Sequence, residues 1–226
     1  MQRHSDTTLA LIIVLCMPIA AGCGHSTEII DKRISFSESR IDGTLAYISQ
    51  RYNIQVDEIT IVPRMIVLHW TAIDDADVSF ETFDTETLQG SRPELAGAGQ
   101  VNVSAHFLVD RDGTIMRLMP ETWMARHCIG LNYSAIGIEN VGGRNGEADL
   151  TDRQVAANIW LVRYLRNKHA SIEYLIGHYE YMLFENHPLF LEVDPSYRTK
   201  KTDPGEQFMH AVRKGVADLA LLGPPE

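Results

Sequence analysis

The sequence predicts an α/β domain in which a central mixed β-sheet is flanked by helices. Short apolar or β-branched runs at 65–69, 105–109, 114–119, 134–141 and 172–178 read as strands, and they are interleaved with segments of helical period and capping signature. The chain has 226 residues, 45% of them AVILMFWYC and 22% charged, which is a globular composition with room for one ordinary domain. No internal repeat and no second domain are visible.

Taken in order, residues 24–40 are polar without a sustained period, as expected of a tether, so the folded part is expected to begin near Ile41. The run MIVLH at 65–69 follows Pro63 and reads as a buried strand that delivers His69 at its end. Residues 79–88 are compatible with a helix capped by Ser79, and 90–99, rich in Gly, Pro and Ala, with a loop. The runs 105–109 and 114–119 flank Asp110-Arg111-Asp112-Gly113, a hairpin signature. After the strand at 134–141, Thr151 and Gln154 have capping-box spacing, and Val155, Ile159, Val162 and Leu165 recur on one helical face. That helix is expected to end near Lys168 or His169. A strand at 172–178 precedes a last helix opened by Asp203-Pro204-Gly205-Glu206, with Asp203 as cap and Phe208, Val212 and Val216 as its apolar face.

The first residues read as an address. Residues 9–21 (LALIIVLCMPIAA) are uncharged but thirteen long, whereas a bilayer span needs about 20 apolar residues. Ala20, Ala21 and Gly22 stand before Cys23, and this resembles the lipobox of bacterial lipoproteins. It implies a lipoprotein signal peptide over 1–22, acylation of Cys23, a tether over 23–40 and a catalytic domain over 41–226. The competing reading is plain secretion with cleavage near Ala21 or Gly22. Either reading puts the protein outside the cytoplasm, and the lipobox reading puts it in the cell envelope. With Gly24 rather than Asp after Cys23, the analogy with lipoprotein sorting in enteric bacteria gives an anchor in the outer membrane, facing the periplasm.

Thirty Asp and Glu against twenty Lys and Arg give a net charge of -10, the wrong sign for a partner rich in phosphates, and nucleic acid is excluded on that ground. Three cysteines are too few for a disulfide framework. With Cys16 in the signal and Cys23 in the lipobox, Cys128 is the remaining thiol, and it reads as a small buried apolar residue.

Three candidate metal ligands fall where predicted elements end or begin: His69, His178 and Asp203. Two imidazoles and a carboxylate suffice for a catalytic zinc with one open position. Separations of over a hundred residues make spacing alone a weak guide, and Asp203 is equally a helix cap. Glu139 alternates with Ile136 and Ile138 and so also reads as a polar residue on a strand's solvent face. Lys201, beside Lys200 and near Arg198, also reads as part of a solvated basic loop.

Six segments occur in order from Met65 to Phe208: Val67-Leu68-His69-Trp70-Thr71, Val103-Ser104-Ala105-His106-Phe107-Leu108-Val109, Asp112-Gly113-Thr114-Ile115, Ala135-Ile136-Gly137-Ile138-Glu139-Asn140, Ile176-Gly177-His178 and Lys201-Thr202-Asp203-Pro204-Gly205. Together they resemble the zinc-dependent N-acetylmuramoyl-L-alanine amidases, whose fold is similar to that of the peptidoglycan recognition proteins. The resemblance implies one zinc ion on His69, His178 and Asp203, Glu139 as the catalytic carboxylate and Lys201 as the oxyanion donor. The implied reaction is hydrolysis of the amide between N-acetylmuramic acid and the L-alanine of the stem peptide, with peptidoglycan or muropeptides as substrate, a membrane reached through the lipid anchor, and a monomer. It makes His127 a residue of the substrate groove and His106 a core or supporting residue. On an acidic protein the basic stretch at Arg198 and Lys201 is expected to hold substrate carboxylates.

The 24 residues between His178 and Asp203 exceed the family's usual loop and bring a further histidine, His187. This insertion is expected to border the metal, as a wall or a lid. Two other readings stay open: a peptidoglycan-binding protein of the same fold without catalysis, and a zinc hydrolase acting on another amide.

Overall fold

The computed structural model describes residues 28–88 and 97–225. The expected signal peptide, the lipidation site Cys23 and part of the loop at 90–99 lie outside the described residues. Six strands form one mixed sheet: β1 (Ile29–Asp31), β2 (Met65–Trp70), β3 (Phe107–Val109), β4 (Ile115–Arg117), β5 (Ala135–Asn140) and β6 (Tyr174–Gly177), in the order β1-β4-β3-β5-β2-β6. Strands β3, β5, β2 and β6 are mutually parallel, β4 is antiparallel to β3, and β1 runs with β4. The α-helices among the described residues are α1 (Glu38–Tyr52), α2 (Ala76–Asp84), α3 (Asp152–Lys168) and α4 (Glu206–Gly215).

Strand period sorts the core into layers. Ile66, Leu68, Ile136 and Ile138 point to the face covered by Leu161, Val162 and Leu165 of α3 and Phe208, Met209 and Val212 of α4. Their neighbours Met65, Val67 and Ala135 point the other way, onto Tyr47, Ile48 and Tyr52 of α1. Because both faces are covered, β2 and β5 read as near-continuous apolar runs. Burying each large aliphatic side chain contributes about 1.5–3 kcal/mol.

Several expectations are corrected. The supposed tether is part of the fold from Ile29: β1 pairs with β4, Ile34 is buried, and Arg40 is 1% exposed with its guanidinium donating to the carbonyls of Phe83 and Thr85. Three residues at a sheet edge are too few to show a period. Helix α2 starts earlier than Ser79, because the Asp75 carboxylate caps it by accepting from Val78 N–H at 2.9 Å. Asp203 is not a cap, since α4 begins at Glu206 behind Gly205.

The capping box of α3 forms as expected between Thr151 and Gln154. Its buried face is rotated, however, and includes Gln154 and Asn158. The Gln154 amide donates to the carbonyls of Val109 and Val141, just where β3 and β5 finish. Ile159 instead meets α4, where a side chain on Gly215 would lie 2.2 Å from Ile159 Cδ1.

Glu121, 5% exposed, ties the β4 side to α3 by accepting from Lys168 (2.9 Å) and His169 (2.7 Å), with Arg117 at 3.3 Å. Burial alone would raise its pKa, but the bonds from His169 and Lys168 outweigh it and hold the carboxyl below its usual value. A carboxyl lowered in the folded state stabilises above its unfolded pKa, and that stability is lost as pH falls through the folded value. Glu121→Gln is therefore expected to lower stability by about 1–3 kcal/mol at neutral pH. The difference from the unsubstituted chain should shrink in acid, read from urea unfolding at pH 7 and below pH 4.

Candidate metal centre

Parallel pairing sets the site. His69 lies opposite Glu139 in the register of β2 with β5, and Leu68 lies opposite Gly177, the residue before His178. Three strands thus bring His69, Glu139 and His178 to one edge of the sheet, at the carboxyl ends where open α/β sheets commonly bind ligands. The edge is braced from the other face: Asn158 Nδ2 donates to Asn140 Oδ1 (2.7 Å), and Asn140 Nδ2 donates to the His69 carbonyl (3.0 Å). Asp203 arrives from the last loop, its carbonyl accepting from Tyr179 N–H at 3.0 Å.

His69 Nδ1, His178 Nδ1 and Asp203 Oδ2 converge. They stand 2.9 Å (His69 to His178), 3.2 Å (His69 to Asp203) and 3.0 Å (His178 to Asp203) apart, and all three residues are buried. The three atoms are close enough together for a single ion to lie about 2.0–2.2 Å from each, the distance of zinc from nitrogen and oxygen ligands. The charges agree. Burial, with His178 beside it, lowers His69 to about 4 against the opposing pull of Asp203, so His69 is neutral at pH 7. Burial would raise Asp203, but His178 and His69 outweigh it and hold the carboxyl far below the usual range. Two imidazoles and a carboxylate facing one point make a donor set for a cation, and the residues present fit a metal ion.

A cleft of about 260 Å³ opens over this cluster. Glu139 and Lys201 line it together with His69, His178 and Asp203, so the five expected residues are brought together. His127 also lines it, with its ring against His69 (Nδ1 to Nε2, 2.9 Å). His106 is wholly buried, in keeping with a core role. Arg198 does not belong to the cleft wall. Its guanidinium pairs with Glu185 at 3.0 Å, donates to the carbonyls of Asp194 and Tyr197, and covers the Phe190 ring. Composition revealed the basic run but not the carboxylate that occupies its arginine.

The insertion is folded onto the core. Tyr181 and Phe184 are fully buried in the α1-side cluster, Leu191 N–H donates to the Gly130 carbonyl, and Arg51 of α1 pairs with Glu192 at 2.7 Å. Phe190 occupies the space a side chain on Gly130 would need, 2.5 Å from that Cβ position. His187 contacts Tyr174 (3.2 Å) and Phe184, not the metal cluster, and so does not compete with His178. Sequence reasoning missed Tyr47, Arg126, Asn132, Tyr197 and Thr199, which also line the cleft. Arg126 donates to the carbonyls of Gly99 and Val101 and to the Tyr197 hydroxyl. Its only local signal was adjacency to His127.

A methyl group on Gly137 would lie 2.7–2.9 Å from ring atoms of His127. Gly137→Ala is expected to push that ring off His69, to cost about 1–3 kcal/mol, and to weaken metal uptake. Urea unfolding and a metal competition assay would read the two effects separately.

Residues 60–206 match the family model described as N-acetylmuramoyl-L-alanine amidase. Among solved structures, the N-acetylmuramoyl-L-alanine amidase LysC from Clostridium intestinale URNW is 23% identical. The match covers 86% of this chain and 99% of that one, with a TM-score of 0.52. The endolysine N-acetylmuramoyl-L-alanine amidase LysCS from the same organism is also 23% identical, covering 88% and 99% at a TM-score of 0.53. Both share the fold. No curated protein matches the chain.

Proposed function

The chain belongs to the N-acetylmuramoyl-L-alanine amidase family, and from that premise we propose that it hydrolyses the amide between N-acetylmuramic acid and L-alanine in peptidoglycan or muropeptides, with one zinc ion on His69, His178 and Asp203. The observation that carries this is the convergence of those three buried ligand atoms beneath a cleft that Glu139 and Lys201 also line. When bound, such an ion supplies Lewis acidity, polarising an amide carbonyl and making water a far stronger acid.

The chain's own residues supply the rest. Glu139 stands beside His69 in register, on the same face of the sheet, and serves as the base that takes a proton from the attacking water and returns it to the departing alanine nitrogen. Lys201, whose ammonium form can only donate, stabilises the developing oxyanion. Tyr47 and Tyr197 wall the cleft on the α1 side. A complete ligand set with a general base favours catalysis over binding alone.

The test is digestion of muropeptides by the purified chain, followed by mass spectrometry for free stem peptide. Cleavage is expected with zinc, is lost with a chelator and returns when zinc is restored. Glu139→Ala is expected to keep its zinc and lose about a hundredfold or more in turnover. His178→Ala is expected to lose zinc itself. No stem peptide from zinc-loaded protein would sink the assignment.

The proposal extends to location. An acyl chain on Cys23 would anchor the protein in the outer membrane, facing the periplasm. Strand β1 runs opposite to β2, β5 and β6, so the chain enters the sheet at the edge that carries the cleft. Cys23 precedes Ile29 by six residues, a reach of at most about 20 Å, so this anchor would hold the cleft close to the bilayer. Membrane fractions should contain the wild-type chain, and Cys23→Ser should move it to the soluble fraction. An unchanged distribution would remove the anchor.

A further inference from the structure

We propose that His127 is a positioning residue for the metal site: it accepts the hydrogen on His69 Nε2 and so leaves the lone pair of His69 Nδ1 facing His178 and Asp203. The inference rests on the metal reading above and deepens it. A chain of donors and acceptors carries it. His127 Nε2 lies 3.3 Å from the Ala135 carbonyl oxygen. A carbonyl can only accept, so His127 carries its hydrogen on Nε2, and the Nδ1 of a neutral ring is then an acceptor. The group facing that acceptor, at 2.9 Å, is His69 Nε2. His69 therefore holds its hydrogen there, and its Nδ1 is bare.

This arrangement opposes a specific competitor. Asp203 Oδ2 lies 3.2 Å from His69 Nδ1 and would itself accept a hydrogen from that atom. In that tautomer the ligand atom is blocked. A closer acceptor on the far side of the ring, at 2.9 Å against 3.2 Å, favours the open tautomer, which is how partners outside a metal's own ligands commonly tune them.

The surroundings hold His127 to this task. Asn132 Oδ1 accepts from the backbone N–H groups of both His127 (2.8 Å) and Cys128 (2.6 Å), which fixes the loop. The ring sits over Gly137, where a side chain would collide with it. Its other neighbour, His106, packs edge-on at 6.0 Å between centroids. His106 is itself locked, accepting from Gly137 N–H at Nδ1 (3.0 Å) and donating from Nε2 to the Trp123 carbonyl (2.8 Å).

The experiment uses the full chain with 15N-labelled histidine. In the metal-free protein, long-range 1H–15N correlation reads which ring nitrogen of His69 carries hydrogen. The expected result is Nε2–H in the wild type, a shift towards Nδ1–H in His127→Ala, and recovery in His127→Asn, whose side-chain oxygen offers an acceptor at the same position along the chain. Zinc competition is expected to show affinity weakened about 10–100-fold in His127→Ala, with His127→Asn regaining most of it. An Nδ1–H wild type overturns the proposal, as does a folded His127→Ala that keeps the Nε2–H tautomer and wild-type zinc affinity. Should His127→Ala fail to fold, the wild-type tautomer and the His127→Asn comparison still decide. A wild-type chain that shows Nε2–H but takes no zinc supports this inference while sinking the metal reading.

Discussion

The parallel register of β2 with β5 and β6 is the constraint on which the rest depends. Strand side chains alternate with a period of two, so a slip of one residue would turn His69 from the cleft face to the face packed against α3 and α4. The register is held because both faces are buried. Ile66 and Leu68 complete one apolar layer while Met65 and Val67 complete the other, and no shifted pairing buries both sets. The apolar core thus performs a catalytic service, aligning the ends of three strands that carry His69, Glu139 and the approach to His178.

Polar side chains buried at that edge help to hold it. Gln154 donates to the strand-end carbonyls of Val109 and Val141, and Asn158 and Asn140 relay a hydrogen bond to the His69 backbone. A buried amide without such partners would cost about 1–3 kcal/mol, so a residue of this kind persists in a helix face only where the carbonyls opposite require it. The buried stripe of α3 consequently departs from a purely apolar pattern at the turn that meets the site.

This explains what the sequence could and could not disclose. The strand at Met65, the hairpin around Gly113 and the capping box at Thr151 are legible because period and cap chemistry act over a few residues. Strand β1 is three residues long, and α1 presents a buried face written in Arg40, Thr44, Tyr47, Ile48 and Tyr52, so neither carries an apolar signature. The metal cluster joins positions 109 and 25 residues apart, and only the order of six motifs pointed to it. The pairing of Arg198 was hidden for a similar reason: its partner Glu185 is set by the fold of the insertion, which composition does not encode.

The insertion behaves as a wall rather than a lid. A lid opens by giving up few buried contacts, whereas this segment is held by Tyr181 and Phe184 in the core, by the buried pair of Arg51 with Glu192, and by Phe190 seated over Gly130. Opening it would unpack the α1-side core and expose Glu192 without its arginine. Its contribution to the cleft, Tyr197 and Thr199, is therefore preorganised, with the Tyr197 hydroxyl held by Arg126 and its ring beneath Arg51. The cleft therefore has a fixed surface on that flank, and its opposite flank is walled by Trp70 to Ile73 and the segment around Val103.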